Sequence, residues 1–198
     1  MKISQLFRGA IAAALLLATG VSSAVPITYV AGLSGAAEAP ANASAGTGFA
    51  TVIYDAATHM LSVAANFSGL TGNTTAAHIH CCTAVPFTGT AGVATQTPSF
   101  SGFPLGVTAG SFSNVFDLTL AASWNAAFIT ANGGTTASAE ATFAAGLAAG
   151  RNYFNIHTTA YPGGEIRGFL RVPEPATLSL FALGLLGAGF ARRRRRAA

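Results

Sequence analysis

Charge is what this sequence has least of. Only 8% of its 198 residues are Asp, Glu, Lys or Arg, and Lys2 is the single lysine. Cations gather at the two ends, Lys2 and Arg8 at one and Arg192, Arg193, Arg194, Arg195 and Arg196 at the other. Between Val25 and Val172, Arg151, Arg167 and Arg171 oppose Glu38, Asp55, Asp117, Glu140 and Glu165; three minus five leaves −2. The formal +4 and the pI near 9.6 therefore describe the ends, and nucleic acid is excluded as a partner of the body. Scarce charge also rules out a surface built on ion pairs, so solubility falls to hydroxyls, amides and exposed backbone. Cysteine and histidine are equally sparse, two and four in all. Four of those six fall within five consecutive positions, His78, His80, Cys81 and Cys82.

The ends read as addresses. Lys2 and Arg8 form a positive n-region, Ala10 to Ala18 an apolar h-region, and Ser22-Ser23-Ala24 a small-residue cleavage site, which together predict a signal peptide over residues 1–24. At the other end Val172-Pro173-Glu174-Pro175 precedes sixteen mostly apolar residues, Ala176 to Ala191, and then the five arginines. As a helix those sixteen residues extend about 24 Å, enough for a marginal membrane span. Pro175 suits a helix start, and the arginines hold the C-terminus on the cytoplasmic side. Motif, helix and arginine cluster in that order resemble the PEP-CTERM sorting signal of Gram-negative bacteria. The resemblance implies recognition by an exosortase-type membrane peptidase, cleavage near Pro173 to Pro175, and release to the surface or the extracellular matrix. It also implies company with exopolysaccharide production and biofilm formation.

The body, residues 25–171, reads as one all-β domain. In Leu61-Ser62-Val63-Ala64-Ala65-Asn66-Phe67-Ser68 the apolar residues Leu61, Val63, Ala65 and Phe67 share one face, the mark of a half-buried strand. Further strands are predicted at Ile27–Leu33, Phe49–Tyr54, Ala76–His80, Asn114–Leu120, Tyr153–Thr158 and Glu165–Leu170, with a turn at Asp55-Ala56-Ala57-Thr58. Seven short strands between Gly, Asn, Ser and Pro punctuation predict a two-sheet, Greek-key, immunoglobulin-like β-sandwich. Helical spacing over Ser123–Ala131 and Ser138–Ala148, broken by Asn132-Gly133-Gly134, adds one or two short helices. Thr83 to Gly110 is predicted to be a long loop.

Residues two apart on a strand face the same way, so His78 and His80 project together, about 6.6 Å apart at their α-carbons. The same rule groups Tyr153, Asn155 and His157. Two or three neutral imidazoles on rigid strands suit copper or zinc, which makes His78, His80 and His157 a candidate metal site, completed by a cysteine or a carboxylate. Against that stands a purely structural role, with the imidazoles bonded to loop carbonyls. Cys81 and Cys82 have three fates in an oxidising compartment: a mutual disulfide, which ordinary geometry disfavours, a bond to another chain, or thiols that ligate metal. Glu165 and Arg167 share a strand face and are expected to form a structural ion pair. His59 has no companion in the sequence and is given no role.

Ser68-Gly69-Leu70, Ala77-His78-Ile79-His80, Tyr153-Phe154-Asn155-Ile156-His157-Thr158 and Gly163-Gly164-Glu165-Ile166-Arg167-Gly168 resemble the signature of the CHRD domain. Leu33-Ser34-Gly35-Ala36-Ala37-Glu38-Ala39-Pro40 resembles its opening motif. The resemblance implies an exported β-sandwich that acts as a non-enzymatic binding or matrix module, with polysaccharide or surface proteins as partners. The paired cysteines depart from the small residue that family places after its second histidine. His78-Ile79-His80 after Gly69-Leu70 also resembles the copper strand of Cu/Zn superoxide dismutase. That enzyme's two-metal site uses more histidines than this chain owns, so the likeness extends at most to a mononuclear site.

Overall fold

Alternating apolar and small polar residues make strands here, and the turns between them are closed by short side chains. Asp55 Oδ1 accepts the Ala57 amide at 2.9 Å, and Asp117 Oδ1 accepts both the amide and the hydroxyl of Thr119. The computed structural model describes residues 25–174. The expected signal peptide, the apolar segment 176–191, Pro175 and the arginine run lie outside the described residues.

The strands are β1 (Ile27–Ser34), β2 (Thr47–Asp55), β3 (Met60–Ser68), β4 (Thr74–His80), β5 (Gly110–Asp117), β6 (Tyr153–Thr158) and β7 (Ile166–Phe169). Between β5 and β6 come α1 (Ala126–Ala131) and α2 (Thr136–Ala148). Asn125 caps α1 by accepting from the Ala127 amide, and Thr135 and Ser138 form a capping box at α2. Gly150, at φ +66°, turns the chain out of α2. β5 starts four residues earlier than expected and ends three earlier, where Asp117 accepts from Thr119 in a turn that stops the strand.

The two-sheet expectation is corrected. All seven strands form one antiparallel sheet in the order β4-β6-β7-β1-β2-β3-β5, joined at its thinnest point by the pairings of Ser34 with Arg167 and Val30 with Arg171. Laid flat, β6 and β5 would stand roughly 24 Å apart at the usual strand spacing. Instead the Phe100 ring lies 6.0 Å from Phe154 on β6 and 5.0 Å from Phe116 on β5. The sheet is therefore curled until its two wings face each other across one core of Leu61, Val63, Phe67, Ile79, Phe116, Phe154, Ile156 and Ile166. The helices join this core through Trp124, whose ring stacks on Phe128 and meets Phe143 edge-on. α2 is also tied to β2, where Tyr54 donates to the buried Glu140 at 2.9 Å. His59 reaches the same carboxylate at 2.9 Å, a companion 81 residues away in the chain.

The long loop between β4 and β5 runs along the free edge of β4, the end strand of the sheet. It bonds back at Ala94 and Thr95, whose amides donate to Ile79 O, and at Phe100, whose amide donates to Ala77 O.

Candidate metal centre

On β4, Ala77 and Ile79 are fully buried in the core, which turns His78 and His80 to the opposite face beside the loop. β6 runs antiparallel beside it, pairing Ala76 with His157, His78 with Asn155 and His80 with Tyr153. Core residues Phe154 and Ile156 alternate with Tyr153, Asn155 and His157, so the three histidines share one face of two adjacent strands. Their ring centres form a near-equilateral triangle of 5.3, 5.8 and 5.9 Å.

Each imidazole has one nitrogen bonded to a main-chain carbonyl: His78 Nε2 to Pro98 O at 2.7 Å, His80 Nδ1 to Ala91 O at 2.9 Å, and His157 Nδ1 to Pro162 O at 2.9 Å. A carbonyl only accepts, so each of these nitrogens carries the proton and the other bears a lone pair. Those others, His78 Nδ1, His80 Nε2 and His157 Nε2, are closed to solvent and have no hydrogen-bond partner. One ring nitrogen from each histidine lies within 4.8 Å of the other two.

Burial pushes His78 and His80 down to about 4, against the partial opposition of the carbonyl bonds, and burial lowers His157 as well. The trio is neutral at pH 7, the state in which imidazole binds metal. An ion about 2.0–2.1 Å from three ring nitrogens would hold those nitrogens about 3.3–3.6 Å apart, so the trio, with one nitrogen of each ring within 4.8 Å of the others, would draw inward to grip it. The carbonyl bonds supply the outer support that fixes tautomer and ring orientation in histidine metal sites. The donor set fits a transition metal with a preference for nitrogen.

Around the trio the structure departs from expectation in three ways. First, no cysteine or carboxylate completes the set among the described residues. Cys81 faces the core, and both sulfurs pack toward α2, bonded to each other with their α-carbons 3.0 Å apart. Second, the Glu165–Arg167 pair does not form. Arg167 has its Nε 3.7 Å from Glu38 Oε2 and donates to Ala37 O and Gly89 O, while Glu165 accepts from Ser44, Thr158 and the amides of Thr71 and Gly72. Glu165 lies before β7, and its carboxylate is taken up by these four donors. Third, Tyr153 is more involved than its position implied. Its ring stacks on His80 at 4.7 Å and 9°, its hydroxyl donates to the same Ala91 carbonyl, and Arg167 covers its other face at 4.7 Å.

Glu38 was legible only as part of a motif. Burial raises its carboxyl to about 7, with Arg167 and the Ala39 amide pulling the other way, and its Oε1 has no partner. Gly164, at φ +132°, is required at this corner, because a Cβ there would stand 2.6–2.8 Å from the Asn155 amide group and Glu38 Oε1.

Two family models match the chain, the CHRD domain over residues 29–170 and the PEP-CTERM protein-sorting motif over 171–196. No curated protein and no solved structure matches it. The sorting motif implies export and processing by an exosortase, a membrane protein. The first match runs from β1 through β7 and takes in every strand that positions His78, His80 and His157; this chain belongs to the CHRD domain family.

Proposed function

We propose that this is an exported, non-enzymatic surface protein that holds one copper or zinc ion at His78, His80 and His157. The observation that carries the reading is the set of three buried, unprotonated ring nitrogens with no protein partner, on histidines that each bring one ring nitrogen within 4.8 Å of the other two. A buried polar atom without a hydrogen bond is costly, and three in one place are costlier still unless something binds them. Metal analysis of protein recovered from the periplasm tests it. One copper or zinc per chain, lost in His80→Ala, is the expected result; a metal-free wild type that also fails to take up copper or zinc on titration overturns it.

A second reading, contact with matrix polysaccharide or surface proteins, is favoured by one surface. Ile53 on β2 and Val115 on β5 flank Ser62 in a single row of the sheet and are 37% and 52% exposed, with Phe49 at 44% on the same strand as Ile53. Replacing Ile53 and Val115 with serine should abolish retention of the protein in the extracellular matrix fraction if that face makes the contact, and unchanged retention removes this reading.

The route is tested separately. With Glu174 and Pro175 of Val172-Pro173-Glu174-Pro175 replaced, full-length protein should accumulate in the membrane fraction, whereas unchanged release counts against exosortase processing.

A further inference from the structure

A cleft lies away from the histidines, on the helix side of the sheet. It measures about 820 Å³, and its wall includes Cys81, Cys82, Phe128, Thr142, Gly146 and Arg151. That volume is in the range of pockets that take small organic ligands. Cys81 is buried, while Cys82 is partly exposed. α2 is shaped to seat the sulfurs: a Cβ on Gly146 would lie 2.6 Å from Cys82 Sγ and 2.8 Å from Cys81 Sγ.

Arg151 is fixed beside them. Its carbonyl accepts the amide of Thr83, the residue after Cys82, at 3.0 Å, and its Nε donates back to Thr83 O. No carboxylate forms an ion pair with Arg151 among the described residues. The cavity thus combines a disulfide in its wall, small apolar surroundings and a guanidinium whose terminal N–H groups are available to an anion.

We infer that the Cys81–Cys82 disulfide is a thiol-exchange site for small thiols that carry a carboxylate. Arg151 binds the carboxylate, and the thiolate sulfur attacks the more accessible Cys82 Sγ. A bond forms between the two sulfurs as the Sγ–Sγ bond breaks, and its electron pair passes to Cys81 Sγ, which takes a proton from water. A second thiol molecule then attacks the mixed disulfide. It leaves as the oxidised dimer of the small thiol, so two thiols lose two electrons and both cysteines end as thiols. This site is independent of the metal reading.

The test follows the disulfide of the exported chain, recovered without reductant, by trapping free cysteines with an alkylating reagent and weighing the product. With 3-mercaptopropionate the native protein should pass through a mixed disulfide on Cys82 to the dithiol. Arg151→Gln should slow that reaction about tenfold, the value of one lost charged hydrogen bond, and slow the reaction with 2-mercaptoethanol, which has no carboxylate, by much less. In the wild type, excess propionate should slow the first thiol and spare the second, a comparison that needs no variant. Two free thiols in the protein as recovered, a disulfide that opens only after denaturation, or equal effects on the two thiols would each overturn the proposal.

Discussion

His157 and Thr158 are neighbours on β6 and belong to opposite worlds. Thr158 points to the Glu165 carboxylate, which also accepts from the Ser44 hydroxyl and the Thr71 and Gly72 amides. Burial alone would raise that carboxyl, but these bonds outweigh it and hold it below the usual range. His157 points to the other face, where three imidazoles each spend one nitrogen on a carbonyl and leave the second unpaired. The carboxylate nest is chemically finished and ties the β1–β2, β3–β4 and β6–β7 connections together. The histidine face is held in place but unfinished, which is what a binding centre requires and a structural one avoids.

The strongest way to break this contrast is to empty the nest. Glu165→Ala strands four donors and should cost about 3–5 kcal/mol in urea unfolding; a loss below about 1 kcal/mol would show that the nest is not the keystone. Next comes acid. Unfolded imidazoles titrate near 6.5 and folded His78 and His80 near 4, so the unfolded chain binds more protons between those values. Stability of the metal-free protein is complete above pH 6.5 and drains as pH falls toward 4, by roughly 3 kcal/mol for each histidine. A thermal melt series across that range should show the decline, and His80→Ala should flatten it. Smaller again is Gly164→Ala, at the corner between the two regions. The added methyl meets Glu38 and Asn155 at a positive φ and should cost about 2 kcal/mol by the same melts.

Glu38 bears on the slope of the acid series. Its folded carboxyl titrates near 7 against 4.5 unfolded, so its contribution is present below pH 4.5 and lost as pH rises through 7, opposite in sign to the histidines. Glu38→Gln should therefore steepen the rise in stability between pH 4.5 and 6.5, and an unchanged slope would remove Glu38 from the account.

The strands were legible because period two survives in a chain this poor in charge: all seven expected segments overlie observed strands, six of them within two residues at either end. The same period put His78 beside His80 and grouped Tyr153 with His157; their meeting required β4 and β6 to pair, which is a tertiary fact. What sequence could not give was the partners held by distance along the chain. Pro98, Ala91 and Pro162 contribute carbonyls, and a carbonyl has no residue signature. Arg167 chose Glu38, 129 residues upstream, over Glu165, two residues away, because Glu165 lies before β7 and turns to Ser44, Thr71, Gly72 and Thr158, while Arg167 lies over Tyr153 on the histidine face. His59 found Glu140 in the same manner.

The loop along β4 carries no regular structure between its bonds to Ile79 and Ala77, yet two of the three carbonyls that orient the histidines belong to it. An ion gripped by His78, His80 and His157 would stiffen that loop, much as a rivet stiffens cloth. Outside a cell, where secreted proteases work on any slack peptide, lifetime would then depend on loading: the ion-free form would be nicked between Thr83 and Gly110, and the charged form would persist.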